Sequence, residues 1–196
     1  MRKSGEQRRE EIVQAVIDLA AENDGGQITA QAIAERVGIA QPTVFRHFKT
    51  RDRILQAVIE WIARHLLGVV SSVAAGSGPA DERLRQLLEQ QLHFISKHRG
   101  LPRLLFSERL HQENAQLKGA VSRIMDAYTS TVAGLLREGI DSGVFRADLD
   151  ADETARLILA MIQGLVMRWS IHDFHFELPN EAAALWRLLE PALLKP

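Results

Sequence analysis

Apolar residues recur every three or four positions along almost the whole chain, a spacing that places them on one face of an α-helix. Clusters rich in glycine, proline, asparagine or aspartate interrupt this pattern, and such residues end helices or open turns. No segment between two turn signals alternates apolar and polar residues, so no sheet is predicted. The pattern predicts about nine helices, over residues 6–23, 29–37, 41–48, 51–76, 81–97, 103–110, 114–141, 150–171 and 180–194.

Several polar residues stand where a helix N-terminus needs a capping side chain. Thr29 and Thr50 precede the second and fourth predicted helices. Asp150 is followed three residues later by Glu153, which is the spacing of a capping box. Local chemistry therefore supports the helix boundaries that the periodicity predicts.

The composition restricts the class of protein. The 196 residues are 46% hydrophobic and 25% charged, an ordinary globular balance, and the absence of cysteine excludes disulfides, thiolate metal sites and cysteine nucleophiles. No apolar stretch reaches the roughly 18–20 residues that span a bilayer, and no apolar signal region follows the basic residues near the N-terminus. We therefore expect a soluble cytoplasmic protein that does not bind membranes.

The positive charge is clustered in one short segment. A formal net charge of −1 argues against a protein that coats nucleic acid through bulk charge. Within residues 44–53, however, four basic residues stand against the single acidic Asp52. This segment is therefore a candidate local patch for an anionic partner.

Residues 30–48 have the spacing of a helix-turn-helix. Ala34 is small enough to let a second helix approach, Gly38 suits the tight turn, and Val44 falls on the inner face of the second helix. A helical hairpin without function is the plainer interpretation, but basic Lys49 and Arg51 follow directly and favour DNA binding. The second helix would expose side chains that can reach base edges and phosphates in a major groove, namely Gln41, Thr43, Phe45, Arg46 and His47.

The stretch from Glu11 through Leu55 resembles the DNA-binding head of TetR/AcrR-type bacterial transcriptional regulators. The matching residues include Ile28-Thr29, Ile33-Ala34, Val37-Gly38-Ile39 and the run Gln41-Pro42-Thr43-Val44-Phe45-Arg46-His47-Phe48. The resemblance implies an all-α protein, with a three-helix helix-turn-helix head in residues 1–50 on a larger helical body in residues 51–196 that binds an effector and forms a homodimer. It also implies a regulator, commonly a repressor, that a small molecule releases from a near-palindromic DNA operator.

Three positions depart from the family pattern. Phe45 stands where the family usually has tyrosine, so the phosphate contact of a hydroxyl is lost and only apolar or thymine-methyl contact remains. Arg51 replaces a common lysine and keeps the charge. Ala40 replaces a common serine, which removes a side-chain cap from the recognition helix.

The resemblance assigns expected roles to the head residues. Gln41, Thr43 and His47 are expected to read bases, and Pro42 opens their helix. Phosphates are expected to bind the residues Thr29, Arg46, Lys49 and Arg51, which fix the register without reading sequence.

The last two long helices are expected to pair with their copies in a second subunit. The interface candidates are Leu157, Ala160, Met161, Gly164, Leu165 and Trp186. The middle helices are expected to enclose an effector pocket, although such side chains are more often plain core packing. The pocket candidates are Trp61, Phe94, Phe106, Met125, Tyr128, Gln163 and Met167.

Other functional classes remain as alternatives. The same scaffold could bind DNA and act through a protein partner, or it could respond to a divalent metal through His172 and His175. An enzyme is not expected, because the sequence holds no nucleophile elbow, Walker loop, dinucleotide fingerprint or HExxH motif. No cofactor is expected.

Overall fold

The computed structural model describes residues 4–22, 28–107 and 114–195, and in these residues the protein is built from nine α-helices. One 3-10 turn, Leu178–Asn180, precedes the last helix. The only strand pairing in these ranges is an isolated antiparallel bridge between Phe145 and Leu194. The helices are α1 Gly5–Glu22, α2 Ala30–Val37, α3 Gln41–His47, α4 Arg51–Ala74, α5 Ala80–Lys97, α6 Gly100–Leu105, α7 Ala115–Asp141, α8 Ala151–Ile171 and α9 Glu181–Leu193.

The all-α prediction is confirmed, and most of the predicted helices begin and end within a few residues of the observed ones. Helix α6 differs, because it begins at Gly100 and includes Pro102, which the sequence analysis treated as part of a break. Proline is tolerated there because the N–H groups of the first helical turn have no partner within the helix. The predicted end of this helix at residue 110 lies outside the described residues.

The contacts within the chain define two compact units. The first comprises the described residues of 1–62 and 98–121, and the second those of 63–97 and 122–196. The first unit includes α6, which lies far along the chain, because α6 packs against α1.

The close approach of α6 to α1 depends on a glycine. A Cβ atom added at Gly100 would lie 1.8 Å from the carbonyl oxygen of Ile17. Arg103 Nη1 also donates to the carbonyl of Ala21 over 3.0 Å, and so satisfies a backbone group at the end of α1 that has no partner within the helix. Helix α6 is thus fixed to the C-terminal half of α1 by backbone contact and by a charged hydrogen bond.

The second unit has an apolar core that contains one buried polar pair. Helix α5 contributes leucines that are fully buried, and α9 and the 3-10 turn pack against α5. Within this core the hydroxyl of Tyr128 donates to Gln91 Oε1 over 2.7 Å. Burial raises the pKa of Tyr128, so the phenol stays neutral and acts as a hydrogen-bond donor.

Buried Arg83 holds the end of α4 in the second unit. Its Nη1 donates to the carbonyl of Ala74 over 2.6 Å, and its Nη2 pairs with Glu138 on α7. Cationic donors at a helix C-terminus satisfy terminal carbonyls and interact favourably with the helix dipole. Arg83 therefore links α4, α5 and α7 at a position where burial of an unpaired charge would be costly.

Among the described helices, only α4 is long and apolar enough to cross a membrane by length and composition. Its apolar side chains include Val58, Ile62 and Val70, which are buried inside the protein. Of the apolar 18-residue window in α4, 33% is buried inside the protein.

Two glycines on α7 provide a matched test of this packing. At Gly139 a Cβ would lie 2.1 Å from the buried ring of Phe145, whereas at Gly134 it would meet nothing within 4 Å. We expect Gly139→Ala to lower the free energy of unfolding by about 1–3 kcal/mol through overpacking. We expect Gly134→Ala to raise it by about 0.5–1 kcal/mol through helix propensity. Urea unfolding followed by circular dichroism measures both, and equal effects of the two variants would contradict this packing.

Candidate nucleic-acid interface

The turn between α2 and α3 has the geometry that the sequence predicts. Gly38 adopts a left-handed conformation with φ 70° and ψ 42°, and its N–H points at the carbonyls of Ala34 and Glu35. The N–H of Ile39 then donates to the Ala34 carbonyl over 2.9 Å. A Cβ on Gly38 would meet nothing within 4 Å, so backbone conformation and not space is what favours glycine here.

Two apolar side chains anchor the recognition helix α3. Val44 and Phe48 are buried in the core of the first unit, and α3 contacts both α1 and α2. The opposite side of the helix and Lys49, two residues beyond its end, point to solvent, with Thr43 and His47 half-buried at the margins of the helix. The exposed residues are Gln41, Pro42, Phe45, Arg46 and Lys49.

The N-terminal end of α3 has no side-chain cap. Ala40 is the cap residue and makes no side-chain hydrogen bond, as the sequence predicts. Its carbonyl accepts from the N–H of Thr43 over 2.8 Å, and Pro42 has no N–H to satisfy. The first turn of α3 is therefore closed by backbone and proline alone.

The C-terminal end of α3 is held by a residue that sequence reasoning did not identify. Arg9 on α1 donates from Nη1 to the carbonyl of His47 over 2.8 Å. The Arg9 guanidinium also lies over the ring of Phe48, with 4.3 Å between its Cζ and the ring centroid. The sequence signal was a pair of arginines at positions 8 and 9, but periodicity does not reveal which distant helix end they reach.

Two of the predicted phosphate-binding residues also have structural roles. The Thr29 hydroxyl accepts from the N–H of Ala32 over 3.1 Å and caps α2. Arg51, the first residue of α4, donates from Nη2 to the carbonyl of Ile28. Exposed Lys49 lies between α3 and α4 and carries its charge at the same end of the recognition helix.

The electrostatics at α3 favour a neutral imidazole in the protein alone. Burial lowers the pKa of His47, and the positive charges of Arg46, Arg9 and Arg8 lower it further. Burial of the imidazole and the charges of the three arginines therefore lower its pKa in the same direction. The end of α3 is a concentrated positive surface on a protein whose net charge is −1.

The predicted interface residues on α8 are mostly exposed in the single chain. Leu157 is 57% exposed, Ala160 and Gly164 are exposed, and Met161 and Leu165 are half-buried, whereas Trp186 on α9 is buried. Sequence reasoning missed two residues in this region, Ile171 on α8 and Leu188 on α9, which are 69% and 65% exposed. Among the described residues, little else covers these two large apolar side chains.

The predicted pocket residues are divided between the two units. Trp61 and Phe106 belong to the first unit and the other five to the second. Tyr128 is buried, Phe94 and Gln163 are half-buried, and Met125 and Met167 are exposed because α7 and α8 turn these positions outward. Trp61 packs edge-on against His98, with 5.0 Å between the ring centroids.

The histidines of the metal alternative lie in the turn that follows α8. His172 and His175 are exposed, and the His175 ring contacts the carbonyl of His172 through Nδ1. Asp173 and Phe174 between them have positive φ, and the Phe174 ring packs against Trp169 at 4.6 Å between centroids. In the part of the chain that the structure describes, no group of three or more metal-ligating side chains is assembled.

Comparison with known proteins places the chain among bacterial regulators. The family profile described as "Bacterial regulatory proteins, tetR family" matches residues 12–58. The profile described as "Tetracyclin repressor-like, C-terminal domain" matches residues 77–170. The first match covers α2, the turn and α3, and the second covers the helices from α5 to α8.

Curated relatives extend over nearly the full length of the chain. It is 27% identical over 183 residues to the nucleoid occlusion factor SlmA of Photorhabdus laumondii, which covers 93% of this chain and 92% of that protein. The SlmA of Vibrio atlanticus is 28% identical over 183 residues, with 93% of each chain covered.

Solved structures share the fold. A transcriptional regulator from Saccharomonospora viridis in complex with choline has a TM-score of 0.84 at 22% identity and covers 97% of this chain and 100% of that chain. FadR from Bacillus subtilis in complex with stearoyl-CoA has a TM-score of 0.78 at 23% identity, with 92% and 96% covered. A TetR transcription regulator from Haloarcula marismortui has a TM-score of 0.81 at 22% identity, with 97% and 100% covered.

The turn at Gly38, the anchored and exposed faces of α3 and the two family profiles agree with one another. The chain belongs to the TetR family of DNA-binding transcriptional regulators, which are not enzymes.

Proposed function

We propose that the protein is a cytoplasmic, sequence-specific repressor that binds a near-palindromic operator as a homodimer and leaves it when a small molecule binds the body. The observation that carries this proposal is the division of α3 into two faces. Val44 and Phe48 fix the helix to the head, while polar and basic side chains project from its other face. A recognition helix held in this way can enter a major groove as a rigid element.

The exposed face separates residues that read bases from residues that bind phosphates. Exposed Gln41 at the start of α3 offers the amide that forms paired hydrogen bonds with adenine, and Thr43 and His47 follow on the same helix. Phosphate contacts are assigned to Arg46 and Lys49 at the other end of α3, and to Thr29 and Arg51 at the starts of α2 and α4. Phe45 is 42% exposed and offers apolar contact with a thymine methyl group.

The exposed apolar face of α8 supports the homodimer. Leu157, Gly164 and Ile171 recur every seven residues and are exposed, and a Cβ at Gly164 would meet no described atom within 4 Å. Exposed Leu188 adds apolar surface on α9. A contiguous apolar surface is typical of an interface, and a dimer places two recognition helices about 34–36 Å apart, one helical turn of DNA.

The interior of the second unit supports an effector with an apolar body. Its core is mainly leucine, alanine and valine, with the neutral Tyr128–Gln91 pair as a polar group that could orient a ligand. Two structural neighbours were solved with stearoyl-CoA and with choline, so the fold accommodates ligands of different chemistry. We propose a small molecule with an apolar portion and a hydrogen-bonding group.

A second candidate function is DNA binding that acts through a protein partner. The full-length relatives named nucleoid occlusion factor SlmA favour it, because that name describes a role other than release by an effector. The two candidates share the DNA-binding head and differ in what the body binds. Release of the selected DNA by a small molecule supports the first candidate, and capture of a protein by the DNA-bound dimer without release supports the second.

Selection of bound fragments from a random duplex pool tests the sequence-specific function. We expect a near-palindrome to be enriched, and Gln41→Ala to relax one or two positions in each half-site at a cost of about 1–3 kcal/mol. We expect Lys49→Ala to weaken all sequences alike and to reduce the salt dependence by about one unit, because it loses a phosphate contact. Equal loss on selected and random DNA for Gln41→Ala would contradict its role in base reading.

Sedimentation equilibrium tests the homodimer. We expect Leu157→Glu to convert the dimer to a monomer at micromolar concentration, because a carboxylate would be buried in an apolar interface. Met125→Glu, at an exposed apolar site on α7, is the matched control and is expected to remain dimeric. A wild-type protein that is monomeric would remove this part of the proposal.

The pH dependence of DNA binding tests the position of His47. Its pKa is lowered in the free protein, so the imidazole is neutral near pH 7 and affinity is expected to be flat above that pH. As the pH falls, DNA phosphates favour the imidazolium, and binding is expected to strengthen through uptake of a proton. Titration at constant ionic strength should show this increase in the wild type and its loss in His47→Asn. The same increase in both proteins would place the titrating group elsewhere.

A further inference from the structure

Arg9 is the side chain that ties the first helix to the end of the recognition helix. Its guanidinium donates to the carbonyl of His47, the last residue of α3, and covers the ring of Phe48, the residue that caps α3. The carbonyls of a final helical turn have no partners within the helix. Arg9 therefore satisfies a backbone group that α3 itself leaves open.

The position of Arg9 suits a cation for electrostatic reasons as well. The C-terminal end of a helix carries partial negative charge, which a guanidinium stabilises. The face of Phe48 attracts the same cation through its ring quadrupole. Helix α3 has only seven residues and no side-chain cap at its other end, so a tertiary contact at this end has a large share in fixing it.

Arg9 is also placed to bind DNA itself. It is exposed, and the bond to His47 uses only one of the several N–H donors of its planar fork. Its neighbour Arg8 is half-buried and forms an ion pair with Glu11 over 2.9 Å, so the charge of Arg8 is offset locally. Exposed Arg46 and Lys49 lie at the same end of α3.

We propose that Arg9 holds the C-terminal end of the recognition helix and, with donors that remain, binds a DNA backbone phosphate beside it. This inference rests on the proposed function, because it adds a positioning and phosphate-binding residue to that same surface. Helix α1 would then bind the DNA backbone directly, in addition to packing against the helix-turn-helix.

Three single variants of the full chain separate the two roles. Arg9→Gln removes the charge, Arg9→Lys keeps the charge but loses the planar fork, and Arg85→Gln removes one exposed charge from α5 as the matched control. Fluorescence anisotropy gives the dissociation constant of each protein between 50 and 300 mM salt, on random duplex DNA and on the selected operator. Thermal unfolding of each variant is recorded in parallel.

We expect Arg9→Gln to weaken binding to random duplex about tenfold near 0.1 M salt and to lower the salt slope by about one unit, since one phosphate contact is lost. We expect Arg9→Lys to keep the wild-type slope and to lose discrimination between operator and random DNA, since α3 is held less firmly. Arg9→Gln equal to Arg85→Gln in affinity and slope would overturn the phosphate contact. Arg9→Lys equal to wild type in every respect would overturn the positioning role and would not depend on Arg9→Gln being folded.

Proton NMR of the His47 imidazole reports on the burial of the ring and on the Arg9 charge, since both lower the pKa of His47. Removal of the Arg9 charge is expected to raise the pKa of His47 in Arg9→Gln and to leave it unchanged in Arg85→Gln. No difference between the two would place Arg9 away from α3 in solution and overturn the inference. Wild-type protein that binds random duplex but selects no operator would defeat the proposed sequence-specific function alone, because the effect of Arg9 is measured on random DNA as well.

Discussion

The DNA-binding surface depends on the attachment of α3, because this helix is too short to be stable alone. Seven residues form fewer than two full turns, and isolated helices of that length are not populated in water. The N-terminal cap is an alanine, so the helix gains no side-chain bond there. Burial of Val44 and Phe48, with Arg9 against the last carbonyl, supplies what local sequence does not. The exposed residues of α3 therefore need not stabilise the helix, since the inner face and the helix end maintain its conformation.

Helix α6 also belongs with the head through tertiary contacts, although it lies about fifty residues farther along the chain. Gly100 allows the backbone of α6 to touch that of α1, and Arg103 satisfies a carbonyl at the end of α1. Helix α1 is thus in contact with α6 near one end and with α3 near the other. The same helix therefore connects α6 with the recognition helix through direct contacts.

The sequence allowed prediction of features that depend on neighbours along the chain. Helix periodicity, the left-handed turn at Gly38 and the caps at Thr29 and Asp150 are local, and the structure confirms them. Features that depend on contacts between residues distant in sequence were not predicted, or were predicted only in part. No pattern along α1 reveals that Arg9 reaches the end of α3, and the charge of Arg51 does not reveal its bond to Ile28. Methionine at a helical spacing is equally compatible with core and surface, so the sequence could not indicate that Met125 and Met167 are exposed in the single chain.

The distribution of charge explains how a protein of net charge −1 can present a positive surface to DNA. Away from α3, several exposed arginines lie beside acids that offset them, as Arg137 does with Asp152 and Arg146 with Asp148. Residues 36–51, in contrast, contain no acidic side chain. The positive field is therefore not cancelled within the turn and the recognition helix, while the rest of the chain balances it. Because exposed charges are screened beyond about 10 Å at 0.1 M salt, it is this local excess and not the net charge that DNA encounters.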